Sequence, residues 1–555
     1  MLAGCIPWPG DLARIYREKG YWQEITLAEV LDRAAARGPD RVALVHGATR
    51  VTFGEVKARA DRLAAHFVAL GLKPRDRVIF QLDNRPELVY AFFALMRVGI
   101  IPVMALPPHR KYEIGHFLRH SGAVGYLIPQ EVRRFDYRPL AAELAAEIPE
   151  LRHVLVCGTA LAGQTSLTAL LEDEPPAWAT AALPTHRPPP DEVALMLLSG
   201  GTTGLPKLIP RTHNDFLCGA SAAAAAAAFD ADTVFCAVLP MAHNYTLAAP
   251  GVLGTFSRSG RVVIAPDTEA ETIFALIERE RVTAISAAVP LVAKWMASAV
   301  PERHDLTSLR LFMNGGAKLA PEMRRRIEWR IGCTFVESFG TGEGLLNQTR
   351  LDDPDEIRFD SSGRPVCPGD EIKIIDEDGN ELPDGTVGEL AARGPYTIRG
   401  YYNAPEINAR AFTADGFYRM GDAVKKVGGY LYVEGRKKDL INRGGEKISS
   451  EEIENLILGN PKVESVCVVA MPDDVYGEKA CAFVILAPGQ TMTLPELTAF
   501  LLAQGIAKFK LPERLEVTDE FPISPAGKIL RRELRSAIAA KIAAEKEAGN
   551  AGVQV

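Results

Sequence analysis

No apolar run in this chain reaches the ~18 residues that a membrane-spanning helix needs, and no basic segment leads into an apolar one at the start. The expectation is a cytoplasmic protein with no membrane partner. Cysteine is sparse and scattered: eight in 555 residues, with no C-x-x-C pair, which points to buried reduced thiols and not to a disulfide framework. Runs of one charge sign are missing too. With 63 Lys and Arg against 70 Asp and Glu, the net charge is −7, so no nucleic-acid footprint is expected, and an anionic ligand would need local positive charge. The one low-complexity run, Ala222 to Ala228, reads as a helix packed closely against a neighbour.

What is there is large and apolar. At 555 residues with 47% hydrophobic content, the chain exceeds one core and suggests roughly three to four domains. An aromatic-punctuated leader, with Trp8-Pro9 and Gly20-Tyr21-Trp22, should lie across the body. Helices are expected from Thr26 and from Thr52-Phe53, with a strand at Val42 to Val45 between them. Strand Arg77 to Leu82, helix Pro86 to Arg97 and strand Ile100 to Met104 follow, a spacing that predicts a parallel sheet. A second alternation runs from Asp191 to about Phe339. From Glu371 the pattern becomes antiparallel β, and after Gly435-Arg436-Lys437-Lys438-Asp439 it restarts as a small α+β unit to about Lys541, with a frayed tail from Glu545. The fold class is therefore α/β: a large N-terminal domain over 1–437, built of two parallel-rich α/β subdomains plus a β subdomain, and a small mobile α+β domain over 438–555.

The densest chemistry lies in Ser199-Gly200-Gly201-Thr202-Thr203-Gly204-Leu205-Pro206-Lys207, after the apolar strand Val193 to Leu198. Glycines let a polyphosphate approach main-chain N–H groups, while hydroxyls and a lysine add donors and charge. A Gly/Ser/Thr surface loop is the bland alternative, but the ordered hydroxyls and terminal lysine favour a phosphate cradle. It is not the G-x-x-x-x-G-K-[ST] loop of P-loop NTPases, because Lys207 follows Pro206 and precedes Leu208.

Other candidates sit in loops after strands, where open α/β sheets bind ligands. His243-Asn244-Tyr245 follows Val234 to Leu239 as a candidate substrate contact. Asn314-Gly315-Gly316-Ala317 and Ser338 to Gly344 read as strand-then-glycine turns. Glu343, set among glycines with few side-chain neighbours to pair it locally, suits an oxygen ligand for Mg²⁺ on bound ATP. Asp422 and Lys528 close the set, although a lysine in a Pro/Gly loop is usually a solvated charge.

In this order, six motifs resemble the adenylate-forming superfamily over nearly the whole chain. The resemblance implies that Ser199 to Lys207 hold the ATP phosphates, Gly315, Gly316 and Ala317 lie against adenine, Asp422 binds the ribose with help from Arg436, Glu343 ligates Mg²⁺, Lys438 is the hinge and Lys528 is the catalytic lysine. The leader, the His243-Asn244-Tyr245 segment and Asn442 to Lys447 are similar to the aryl-acid-activating enzymes of siderophore assembly, the 2,3-dihydroxybenzoate and salicylate AMP ligases. In that group the match to Asn244 meets the ortho hydroxyl of the acid. The chain departs from the group at Ala249, where serine or cysteine is usual, and at Ser338 and Leu346, where valine is usual.

The implied reaction joins an aryl acid to ATP with release of pyrophosphate, then passes the acyl group to the phosphopantetheine thiol of an aryl carrier protein. The chain shows no carrier motif of its own, so the partner is expected in trans. An aryl-CoA ligase, and a non-catalytic protein that kept a nucleotide fold, stand as alternatives.

Overall fold

A computed structural model describes residues 1–199, 206–436, 440–443, 446–473, 476–504, 506, 508–524 and 528–551. The chain folds into two compact units. The first collects Met1–Leu319, Arg325–Ile372 and Ala392–Arg419; the second collects Ala320–Arg324, Lys373–Ala391 and Met420–Val555.

Two twisted sheets organise the first unit. One has seven strands in the order Leu208–Thr212, Val193–Leu198, Ile101–Met104, Arg77–Phe80, Gly125–Pro129, His153–Cys157 and Thr165–Ser166. The strand, helix and strand from Arg77 to Met104 form the expected parallel pair, Arg77 opposite Ile101 and Phe80 opposite Met104. The other sheet has nine strands: Arg364–Pro365, Gly344–Gln348, Thr334–Thr341, Leu311–Gly315, Ala284–Ala287, Val234–Ala237, Arg261–Ile264, Val42–His46 and Thr49–Thr52. Threonine caps start the early helices as read from sequence. Thr26 closes a capping box with Glu29, and Thr52 one with Glu55.

The two sheets exchange strands in a way that consecutive reading does not predict. Val193–Leu198, read as the start of the second alternation, pairs in parallel with Ile101–Met104 of the first sheet, Met196 opposite Val103. Val42–His46, read with the first alternation, pairs in parallel with Arg261–Ile264. Periodicity reports that a strand is buried, whereas its sheet is decided by long-range pairing.

The alanine run ends the helix His213–Ala226, two residues earlier than read, since Ala228 takes φ +51°. Its small side chains do admit a neighbour. A Cβ added to Gly254, on the helix Gly251–Ser257, would lie 3.3 Å from Ala224 Cβ and 3.2 Å from the Ala220 carbonyl. The leader docks as expected: Trp8 meets Tyr16 and Trp22 edge-on at 5.8 and 5.3 Å, and the Trp22 indole donates to the Pro395 carbonyl at 2.8 Å.

The second unit carries strand Tyr418–Val427 from Met420 onward, and strand Tyr430–Arg436, antiparallel to each other in a four-stranded sheet. Beyond them lies a five-stranded sheet centred on Gly477–Leu486. Strand Val463–Asp473 alternates from Val466 to Met471. Val466, Val468 and Ala470 pack with Ile453 and Ile457 of one helix, while Cys467, Val469 and Met471 pack with Leu534 and Ile538 of the last. That last helix runs Arg531–Ala551, so the tail expected to fray is helical through Ala551; Arg514 pairs with Glu545 at 2.7 Å, and the alanine-rich sequence favours helix.

Candidate active site

The strand Val193–Leu198 runs into the glycine-rich loop and Leu208–Thr212 returns antiparallel from it, Leu198 opposite Leu208. Ser199 and Lys207 close the loop: the Ser199 amide donates to the Lys207 carbonyl at 3.0 Å, and the Lys207 amide donates to Ser199 Oγ at 2.9 Å. Gly200, Gly201, Thr202, Thr203 and Gly204 lie outside the described residues. Ser199 is therefore structurally engaged at the foot of the loop, and Lys207, half-buried, carries the charge.

The Lys207 ammonium sits 4.5 Å from the centre of the Tyr401 ring, a cation–π contact. The Tyr401 hydroxyl in turn donates to Glu343 Oε1 at 2.7 Å and lies 2.9 Å from the Tyr418 hydroxyl. Glu343 is buried, and its partner, Tyr401, reaches it from 58 residues away. Burial first, then the Glu343 charge, pushes the Tyr401 phenol up, so it stays a proton donor. Gly344 takes φ +123°, and a Cβ there would lie 2.4 Å from Thr397 Cα; only glycine lets the Glu343 turn pack on that backbone.

A single carboxylate is a hard ligand that suits Mg²⁺, an ion that keeps waters and substrate phosphate oxygens as its other ligands. Among the described residues no group of three or more His, Cys, Asp or Glu is assembled for a metal. Glu343 thus fits an ion that arrives on a polyphosphate and does not fit a dedicated protein cage.

A second cluster surrounds Gly315. Ser338 lies opposite Gly315 in the parallel pair of Leu311–Gly315 and Thr334–Thr341, so Ser338 belongs to a strand and not to the glycine turn read from sequence. A Cβ on Gly315 would lie 2.6 Å from the Tyr245 ring, so the ring rests on bare backbone. Asn244 begins a short helix, Asn244–Ala248, capped by His243 Nδ1, which accepts from the Tyr245 amide at 3.2 Å; the segment is a helix start where a loop was expected. Ala249 is buried at the end of that helix. Leu346 packs against the aromatic cluster of the leader.

Gly316 and Ala317 are exposed, and Asn314 fixes their turn by donating to the Ala317 carbonyl at 2.8 Å and to Glu337 Oε2 at 3.1 Å. Gln348, opposite Ser338 in the antiparallel pair, donates through Nε2 to Ser338 Oγ at 3.3 Å. Sequence reading missed Tyr401, Arg211, Glu337 and Gln348. Arg211 and Glu337 carried a signal, each a charged residue inside a strand pattern.

In the second unit Asp422 is buried and stands opposite Arg436 across two antiparallel strands. Lys528 is exposed; its amide donates to Ser524 Oγ at 3.1 Å, and its carbonyl accepts from the Ser524 amide at 2.7 Å. Lys438 lies outside the described residues, as do Gly444 and Gly445.

The AMP-binding enzyme family model matches residues 31–402, and that of the AMP-binding enzyme C-terminal domain matches residues 452–528. The 2,3-dihydroxybenzoate-AMP ligase of Bacillus subtilis (strain 168) is 44% identical over 548 residues, covering 98% of this chain and 99% of the relative. A Streptomyces protein named salicylyl-CoA synthase / salicylate adenylyltransferase is 45% identical over 542 residues, with 97% and 98% covered. Among solved structures, apo MbtA of Mycobacterium smegmatis superposes with a TM-score of 0.74 at 41% identity, covering 96% of this chain and 99% of that one.

Proposed function

Because the chain belongs to the AMP-binding enzyme family, we propose that it is an aryl acid-AMP ligase. It joins a 2,3-dihydroxybenzoate- or salicylate-like acid to ATP, releases pyrophosphate, and passes the acyl group to the phosphopantetheine thiol of a separate aryl carrier protein. The observation that carries this reading is the contact line from Lys207 through Tyr401 to Glu343, which links a cation and a buried carboxylate through one phenol.

A carboxylate attacks an anionic α-phosphate poorly, so catalysis rests on alignment and on neutralising the charge that develops. Lys207 and the loop hold the phosphates, Glu343 holds Mg²⁺, and Gly315 to Ala317 take the adenine. Asp422 with Arg436 takes the ribose, and Lys528 reaches the reacting carboxylate and phosphate. When bound, Mg²⁺ withdraws charge from the phosphate oxygens. Asn244 orients the acid by its ortho hydroxyl, with Tyr245, His243, Ala249, Ser338 and Leu346 as further pocket positions. The second half-reaction opens the mixed anhydride with a thiol, and a hinge at Lys438, between domains 1–437 and 438–555, admits that thiol. The compartment we assign is the cytoplasm; among the described residues no helix is long and apolar enough to cross a membrane, and the cysteines are free thiols.

The test is acid-dependent ATP–pyrophosphate exchange over a panel of aryl acids. No exchange with any acid would leave a non-catalytic scaffold as the better account. A second reading, transfer to free CoA, is favoured by the naming of the Streptomyces relative as a CoA synthase. Turnover with CoA against a loaded carrier protein decides between them.

A further inference from the structure

Arg211 is only 3% exposed, and its guanidinium is spent on three bonds. Nε donates to Asp215 Oδ1 at 2.7 Å, Nη1 to the Gly342 carbonyl at 2.8 Å and Nη2 to the Tyr396 carbonyl at 2.9 Å. A buried arginine is expected where its planar fork must fix several acceptors at once. Asp215 is fixed in its turn. It closes the capping box of the helix His213–Ala226, taking the Thr212 amide and hydroxyl on Oδ2, the hydroxyl at 2.8 Å.

What Arg211 joins is informative. It lies on the strand that leaves the glycine-rich loop, four residues beyond Lys207. Gly342 immediately precedes Glu343, and a Cβ on Gly342 would lie 3.1 Å from Ile209 of the same strand. The Tyr396 hydroxyl accepts from the Leu346 amide at 3.0 Å, and the Glu343 carbonyl accepts from the Ile398 amide at 2.8 Å. The Glu343 turn is thus gripped from both sides, and the grip on its N-terminal side comes from the strand Leu208–Thr212, which Lys207 immediately precedes.

We propose that Arg211, seated by Asp215, is a positioning residue that sets the Glu343 carboxylate against the phosphate-binding loop. It touches neither nucleotide nor acid. The inference rests on the reading of Glu343 as the Mg²⁺ ligand, so its test must separate the two. Arg211→Lys keeps the charge opposite Asp215 but cannot span both carbonyls. Wild type, Arg211→Lys and Glu343→Gln are compared for binding of a non-hydrolysable ATP analogue by calorimetry, with Mg²⁺ and with EDTA, and for the Mg²⁺ concentration that half-activates pyrophosphate exchange.

Expected for Arg211→Lys is loss of most of the Mg²⁺-dependent tightening and about a 10-fold rise in half-activating Mg²⁺, with aryl-acid KM and EDTA-state binding within about 2-fold of wild type. If Glu343→Gln shifts the Mg²⁺ terms and Arg211→Lys does not, the positioning role is overturned while the ligand reading stands. If Glu343→Gln leaves them unmoved, the ligand reading fails first. An even loss of acid, nucleotide and Mg²⁺ affinity in Arg211→Lys would reduce the residue to general stability. Should that variant not fold, Asp215→Asn, which keeps a cap acceptor and removes the charge that seats Arg211, must show the same selective Mg²⁺ shift, and without that shift the proposal is overturned.

Discussion

Ser338 shows how one side chain divides between structure and selectivity. A buried hydroxyl lacking a partner would cost about 1 to 3 kcal/mol. The structure supplies Gln348, whose amide donates to Ser338 Oγ. The Tyr245 hydroxyl is a further neighbour of Ser338, and a polar substituent of the acid is proposed to meet this pair. Ser338→Val is expected to weaken turnover about 2-fold to 13-fold for aryl acids carrying a second hydrogen-bonding substituent, and to spare those without one. It also strands the Gln348 amide, so a double variant with Gln348→Leu should recover stability without recovering selectivity. Equal losses for all acids in pyrophosphate exchange would confine Ser338 to packing. Lys528 makes the opposite case. It is exposed and held through its backbone to Ser524, and in the proposed reaction its charge would be needed only while the anhydride forms. Lys528→Ala should slow adenylation some 100-fold to 1,000-fold, a loss of about 3 to 4 kcal/mol, and leave thioester formation from pre-made aryl adenylate nearly intact. Equal slowing of both half-reactions would make the lysine structural.

The helix His213–Ala226 joins the phosphate-loop strand to the start of the chain, and its first residue carries a pH dependence. His213 is wholly buried; its Nδ1 accepts from the Leu27 amide at 3.1 Å, at the start of the Thr26-capped helix. Burial pushes its imidazole down to about 3, against an opposing pull from Glu192. Because the folded value lies below the ordinary one near 6.5, the unfolded chain binds the extra proton between these limits. The contribution is complete above about pH 6.5 and is lost as pH falls toward 3, about 2 kcal/mol by pH 5. His109, pushed by burial to about 4, acts in the same direction. The drop in Tm between about pH 7.5 and pH 5 should therefore shrink in His213→Asn, whose Oδ1 can still accept from Leu27, and an unchanged drop would rule out His213 as a source of acid lability. Elements of this kind were the most legible part of the sequence. Caps at Thr26 and Thr52, proline at the start of Pro86–Arg97 and the apolar run Val193–Leu198 are local chemistry with local outcomes. Strand partners distant in sequence were not legible, because Met196 opposite Val103 is decided by burial shared across some ninety intervening residues.

For the whole molecule the same division holds. The glycine-rich motifs mark nucleotide chemistry because their spacing is short and their residue types are restrictive, whereas Tyr401 acts on Glu343, 58 residues away in sequence, and leaves no local pattern to read. What links the two half-reactions is likewise a property of the chain as a whole. The family models match 31–402 and 452–528, and Lys438, proposed as the hinge, falls in the interval between them. A hinge residue has to absorb a large backbone change. Proline fixes φ near −65° and removes the amide donor, so Lys438→Pro is expected to keep much of the pyrophosphate exchange rate while losing most thioester formation with the carrier protein. Removing only the side chain separates charge from backbone: Lys438→Ala should retain both activities within a few-fold, because alanine leaves φ free. Rapid-quench measurement of adenylate and thioester from the same reaction reads both steps at once. Equal retention in the proline variant would remove the hinge from Lys438, and equal loss in the alanine variant would assign the effect to the ammonium group instead of the backbone.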